Sequence, residues 1–108
     1  PICFLGTQTN DYIQNFNFDY CVLGTEGICP TFGVTLLDND DAYTSRAILR
    51  QSKCKILVAD SSKFGKSFTY KTGDVADFDY IITDENIYQN IFQEISKSAT
   101  IIAVPVDD

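Results

Sequence analysis

The sequence predicts an open α/β sheet, mostly parallel, with helices flanking it. Apolar runs of strand length alternate with segments whose apolar residues recur at helical spacing, in the order β-α-β-α-β-(loop)-β-α-β. The run Cys54–Ala59 is continuous instead of alternating, the habit of parallel strands covered on both faces. A chain of 108 residues suits one modest domain, and neither an internal repeat nor a low-complexity tract suggests a second.

The elements follow in order. Ile2 to Leu5 is a short strand ended by Gly6. Thr9 to Phe16 reads as a helix, with Tyr12, Ile13 and Phe16 at helical spacing and Thr9 or Asn10 as N-cap. Phe18 to Leu23 is a second strand, terminated by Gly24, and Thr25 to Asn39 reads as loop. Asp40 or Asp41 caps a helix running to about Gln51, with Ala42, Ala47, Ile48 and Leu49 on its buried side. Its acidic start and basic end, Arg46, Arg50 and Lys53, suit the helix dipole. After the Cys54–Ala59 strand comes the loop Asp60 to Lys66, then a short extended piece at Ser67 to Tyr70. Tyr80 to Thr83 is a buried strand. Thr83-Asp84 caps a helix from Glu85 to about Ser96, with Ile87, Ile91, Phe92 and Ile95 on one face, and Thr100 to Val106 closes the sheet.

Composition excludes several chemistries. The chain has no His, so Ser-His-Asp and Cys-His nucleophile systems cannot be assembled within it, and zinc would need thiolates and carboxylates alone. Eight Lys and Arg against fifteen Asp and Glu give a net charge of −7, a poor balance for stand-alone nucleic-acid binding. No apolar run is long enough to span a membrane, and no signal peptide is visible. Cys3, Cys21 and Cys54 lie inside apolar segments and read as small core residues of a cytoplasmic protein; Cys29 sits in a loop. No metal site and no cofactor is expected. The chain has no Met and starts at Pro1, which reads as a fragment of a longer protein.

Ligands of such sheets bind beyond the carboxyl ends of the strands, which selects the loops Gly24–Cys29, Asp60–Lys66 and Thr83–Glu85. In the first, Gly24, Thr25, Glu26 and Gly27 let backbone approach a ligand, and Glu26 can accept from sugar hydroxyls; a tight turn with a solvated Glu is the plainer reading. In the second, Asp60 ends the strand and is expected to orient ligand hydroxyls, and Ser61, Ser62 and Lys63 supply two hydroxyls and an ammonium suited to a phosphate. The P-loop order is absent. The carboxylates Asp38, Asp40 and Asp41, Asp77 and Asp79, and Asp84 with Glu85, read as helix caps or solvated groups.

The stretch Val58-Ala59-Asp60-Ser61-Ser62-Lys63-Phe64-Gly65-Lys66, followed by Asp79-Tyr80-Ile81-Ile82-Thr83-Asp84, resembles the effector-sensing domain of the DeoR-type bacterial transcriptional repressors. Upstream, Phe18-Asp19-Tyr20-Cys21-Val22-Leu23-Gly24 is similar to that family's FDxxFLG strand and Gly24 to Cys29 to its GADGID turn. Gly33-Val34-Thr35, Asp41-Ala42 and Arg46 resemble its GxT, EA and KR elements. The resemblance implies a Rossmann-like fold similar to ribose-5-phosphate isomerase, a phosphorylated sugar as effector, and no catalysis. It further implies operator DNA bound through an N-terminal winged helix-turn-helix domain that these 108 residues do not contain. Residues 1–108 would then be the C-terminal part of one sensing domain, missing its first strands and exposing an edge through which copies self-associate. The sequence departs from the pattern at Thr25, Glu26, Cys29 and Ser45, where the family has Ala, Asp, Asp and Lys. A catalytic isomerase relative and a ligand-free interaction module are the alternatives.

Overall fold

The computed structural model describes the backbone of residues 2–4 and all of residues 13–107. Five strands, β1 (Ile2–Phe4), β2 (Phe18–Leu23), β5 (Ser52–Val58), β7 (Tyr80–Asp84) and β8 (Thr100–Val104), form one sheet in the order β1-β2-β5-β7-β8. Every pairing in it is parallel. Between them, β3 (Gly27–Cys29), β4 (Gly33–Leu36) and β6 (Tyr70–Gly73) make a second, antiparallel sheet in the order β3-β4-β6. Helices α1 (Asn39–Arg50) and α2 (Gln89–Ser96) flank these strands, with 3-10 turns at Ser61–Lys63 and Val75–Asp77.

The small sheet corrects the expectation of a plain loop over Thr25 to Asn39. Its strands are three and four residues long and carry Gly and Thr, so they show no alternation to read. The extended piece expected at Ser67–Tyr70 lies a few residues later, as β6, where it pairs with β4.

Helix α1 starts at Asn39, immediately before its acidic pair. Asp38, and neither Asp40 nor Asp41, is the N-cap, accepting from the Asp41 backbone N–H at 2.9 Å. Asp40 and Asp41 fall in the first turn and Arg50 in the last, as the dipole favours. Its buried side is Ala42, Ala47, Ile48 and Leu49, joined by Thr44 and Ser45. Helix α2 starts at Gln89, not Glu85, because the Asp84 carboxylate holds the chain in a turn there, accepting from the Asn86 N–H at 2.9 Å. Tyr88 takes the N-cap position without a side-chain bond. The last strand ends at Val104, short of the expected Val106.

The spatial order of the five-stranded sheet repeats the chain order without a reversal, so right-handed crossovers set the connections from β2 onward on one face. The core shows that asymmetry. Cys21, Leu23, Leu57, Ile81 and Ile101 share a face by register and pack with Ile48 of α1, Ile95 of α2 and Ile28 and Val34 of the small sheet. The other face carries Tyr20, Val58, Tyr80, Ile102 and Val104, all more than 40% exposed. Coverage of both faces, expected from the unbroken apolar run, is therefore not met within the described residues. The first helix expected at Thr9–Phe16 lies mostly outside the described residues, including Thr9, Asn10 and Tyr12, as do Gly6 and the Cys3 side chain. Ile13 is buried in the core, whereas Phe16 is exposed and stacks on Phe18 at 5.8 Å. Cys21 is fully buried, which pushes its thiol pKa up, and Cys54 is half-buried on the open face.

Candidate functional site

The carboxyl ends of β2, β5 and β7 bring the three expected loops to one edge of the sheet. Two ties fix the loop after β5 against the small sheet. Gly65 donates its N–H to the Ile28 carbonyl at 2.8 Å, and Phe64 forms a single parallel bridge with Ile28. Gly65 adopts φ +84°, a left-handed conformation that favours glycine. With the loop so held, Lys63 Nζ lies 3.7 Å from Glu26 Oε2. Both side chains stay partly open to solvent, at 30% and 45% exposure, so the pair is accessible to a third party.

The other members of the two loops divide into those that face outward and those that build the turn. Gly24 is exposed, and a side chain there would meet only the Val58 carbonyl, at 4.0 Å, leaving room above the strand end. Thr25 is buried, and its hydroxyl donates to the Thr35 carbonyl at 2.7 Å. This bond braces the turn that carries Glu26. Gly27 is likewise structural: a Cβ there would sit 2.6 Å from the Lys66 carbonyl oxygen. Its missing side chain admits the Lys66 backbone. Asp60, two residues beyond β5, is exposed and caps the 3-10 turn, accepting from the Ser62 N–H at 2.8 Å and from the Ser62 hydroxyl. Ser61 donates its N–H to Asp84 Oδ2 at 2.7 Å.

Asp84 and Thr35 carry roles that sequence reasoning missed. Asp84 reads as a helix cap in one dimension but joins the loop after β5 to the loop after β7, through Ser61 on one oxygen and Asn86 on the other. Thr35, wholly buried in β4, takes Thr25 on its carbonyl and the Phe68 N–H on its hydroxyl, at 2.7 and 2.9 Å. The GxT element was visible, but nothing in it specified these partners. Next to the 3-10 turn a cleft of about 500 Å³ opens between Ser61, Ser62 and Gly65 on one side and Asn86, Tyr88 and Ile91 on the other. Cys29 bonds within its own hairpin, Sγ to Thr31 Oγ1 at 3.4 Å, an interaction that lowers its thiol pKa.

Hydrogen bonds from Ser62 hold the Asp60 carboxyl below the ordinary aspartate value, and the Ser61 N–H does the same for Asp84. A carboxylate with a lowered folded-state pKa contributes above its unfolded pKa and loses that contribution as pH falls through the folded value. The Ser61 and Ser62 amide resonances should therefore move together on acidification, with midpoints below about 3.9. Midpoints at or above that value would detach the turn from the two carboxylates.

A family model for the DeoR C-terminal sensor domain matches residues 2–85. The chain belongs to this family. The putative aga operon transcriptional repressor of Escherichia coli O157:H7 is 34% identical to this DeoR sensor chain over 95 residues, covering 88% of the chain and 35% of that protein. The glycerol-3-phosphate regulon repressor of Escherichia coli (strain K12) is 34% identical over 80 residues, covering 74% of the chain and 32% of that protein. The HTH-type transcriptional repressor GlcR of Bacillus subtilis (strain 168) is 28% identical over 79 residues, covering 73% of the chain and 30% of that protein. The DeoR sensor chain thus spans about a third of the length of these curated relatives. Among the described residues no group of three or more His, Cys, Asp and Glu could hold a metal ion, and no helix is long and apolar enough to cross a membrane.

Proposed function

We propose that this DeoR-family chain is the C-terminal part of one sensing domain in a sugar-operon repressor and that a phosphorylated sugar, bound without turnover, relieves repression. The carrying observation is the Lys63–Glu26 pair at the strand tips, an accessible ammonium and a hydroxyl acceptor 3.7 Å apart on two separately anchored loops. An incoming phosphate takes Lys63, the Ser61 hydroxyl and the Ser62 hydroxyl, which turns to it from Asp60, and Glu26, released from Lys63, accepts from a sugar hydroxyl beside Gly24. Asp60 acts through Ser62, keeping the turn in shape. Operator DNA is contacted by another part of the full-length protein, since this chain is acidic. Effector that binds one arrangement of the loops more tightly shifts the population of sensor arrangements, and with it the register of the DNA-binding domains.

The apolar open face of the five-stranded sheet supports the reading of a partial domain that completes itself, or associates with another copy, in the whole repressor. The test uses the full-length protein with a panel of sugar phosphates, read by thermal shift, by operator binding and by product analysis. A stabilising sugar phosphate that releases operator without being converted is the expected result; conversion would replace the sensor reading with an enzymatic one. Lys63→Ala should weaken the effector response about 10- to 100-fold, the worth of a charge-assisted hydrogen bond, with operator affinity unchanged. Normal induction in that variant would remove Lys63 from the site.

A further inference from the structure

Three of the chain's eight Lys and Arg converge away from the strand tips. Arg46 and Arg50 of α1, Lys55 of β5, Leu49, Thr72 of β6 and Asp77 line a cleft of about 230 Å³. Both of the chain's arginines are here, four residues apart on one face of α1, an arrangement that repels itself unless something between them carries negative charge. Such a concentration of cation stands out in a chain of net charge −7.

Little within the protein answers that charge. None of the ion pairs among the described residues uses Arg46, Arg50 or Lys55. Arg46 spends one donor on the Lys71 carbonyl at 2.7 Å and lies over the Tyr43 ring at 5.8 Å, which orients the guanidinium and leaves further N–H groups. The single carboxylate in the lining, Asp77, already accepts from the Asp74 N–H at 2.8 Å. A second, independent sign comes from Thr72. It is 6% exposed, and its Oγ1 has no hydrogen-bond partner. A buried hydroxyl without a partner calls for a missing one.

We propose that this cleft is a second anion site, which takes a dianionic phosphate group on Arg46, Arg50 and Lys55 with Thr72 donating its hydroxyl. The site is separate from the strand tips, because α1 ends where β5 begins, at the opposite end of the strand from Asp60. It is nevertheless connected to them. Lys71, next to Thr72 in β6, pairs with Thr35 of β4, and Thr35 holds the Thr25 turn that carries Glu26. A phosphate bound here would stiffen the strand against which the effector loop is braced.

Full-length protein is titrated with inorganic phosphate, and separately with methyl phosphate, at constant ionic strength, followed by calorimetry and thermal shift. Saturable binding is expected, about tenfold weaker in Arg50→Gln, an exposed substitution that leaves the core alone. Thr72→Val should give opposite movements, a higher Tm without phosphate and a smaller phosphate-induced shift, since it removes an unpaired buried hydroxyl and a ligand donor together. Binding retained in Lys63→Ala separates this site from the strand-tip site. Equal binding of methyl phosphate assigns the cleft to phosphomonoesters, and binding of inorganic phosphate alone assigns it to the free ion. Non-saturable binding, or Arg50→Gln binding as tightly as the parent, overturns the proposal, as does competition by duplex DNA for the same three cations.

Discussion

Gly27→Val should destabilise the protein by about 3 kcal/mol or more, the upper range for forcing atoms into a packed site. The reason lies in what a Cβ would meet: the Lys66 carbonyl oxygen at 2.6 Å, the Thr35 hydroxyl at 2.9 Å and the Lys66 carbonyl carbon at 3.0 Å. Two of these three are backbone, so no side-chain rotation relieves the clash. Either β3 leaves β4 or the loop after β5 moves off β3. The second route also separates Glu26 from Lys63, so the variant should lose effector response beyond what lost stability explains. Urea denaturation measures the first effect, and Gly27→Ala should already show part of it. A midpoint equal to that of the parent would mean that the strand and loop are not packed as described.

The second large effect is at Phe78. Its ring is 2% exposed and belongs to the same core as Leu57, Ile81 and Ile95. Phe78→Ala should cost about 3–5 kcal/mol through lost transfer energy and the space left behind. Domains of this kind are stable by only about 5–15 kcal/mol, so much of that variant should be unfolded at 37 °C. Phe78→Leu keeps most of the volume and should lose less, about 1.5 kcal/mol or below. Similar denaturation midpoints for the Ala and Leu variants would place the ring outside the core.

The five parallel strands were legible because each is a compact apolar run ending in Gly, Asp or Pro, and burial selects such runs directly. The juxtaposition of Glu26 and Lys63 was legible for a topological reason: both follow strands whose carboxyl ends must share an edge. The small sheet was not, since Gly27–Cys29 and Gly33–Leu36 owe their extended form to one another and to Tyr70–Gly73. Thr25 shows the limit for side chains. A threonine between two glycines shows nothing of its partner, and only the fold reveals that its hydroxyl donates to the Thr35 carbonyl. Asp84 shows the same in reverse, since its partner Ser61 is 23 residues away and no local pattern connects them. The start of α1 was displaced for a related reason, because several acids stood in line for its cap and geometry chose Asp38.

A sheet laid down strand after strand in chain order also has a temporal side. The unit β7-α2-β8 closes within residues 80–104 and pairs in the sheet with β5, whereas β2 finds β5 only after a hairpin and a helix have been looped out between them. Closing the shorter connection loses less chain entropy, and local pairings speed folding. Assembly should therefore start at the carboxyl-terminal edge and travel towards β1, so that the braced turn bearing Glu26 is among the last parts to set and among the first to open under native fluctuation.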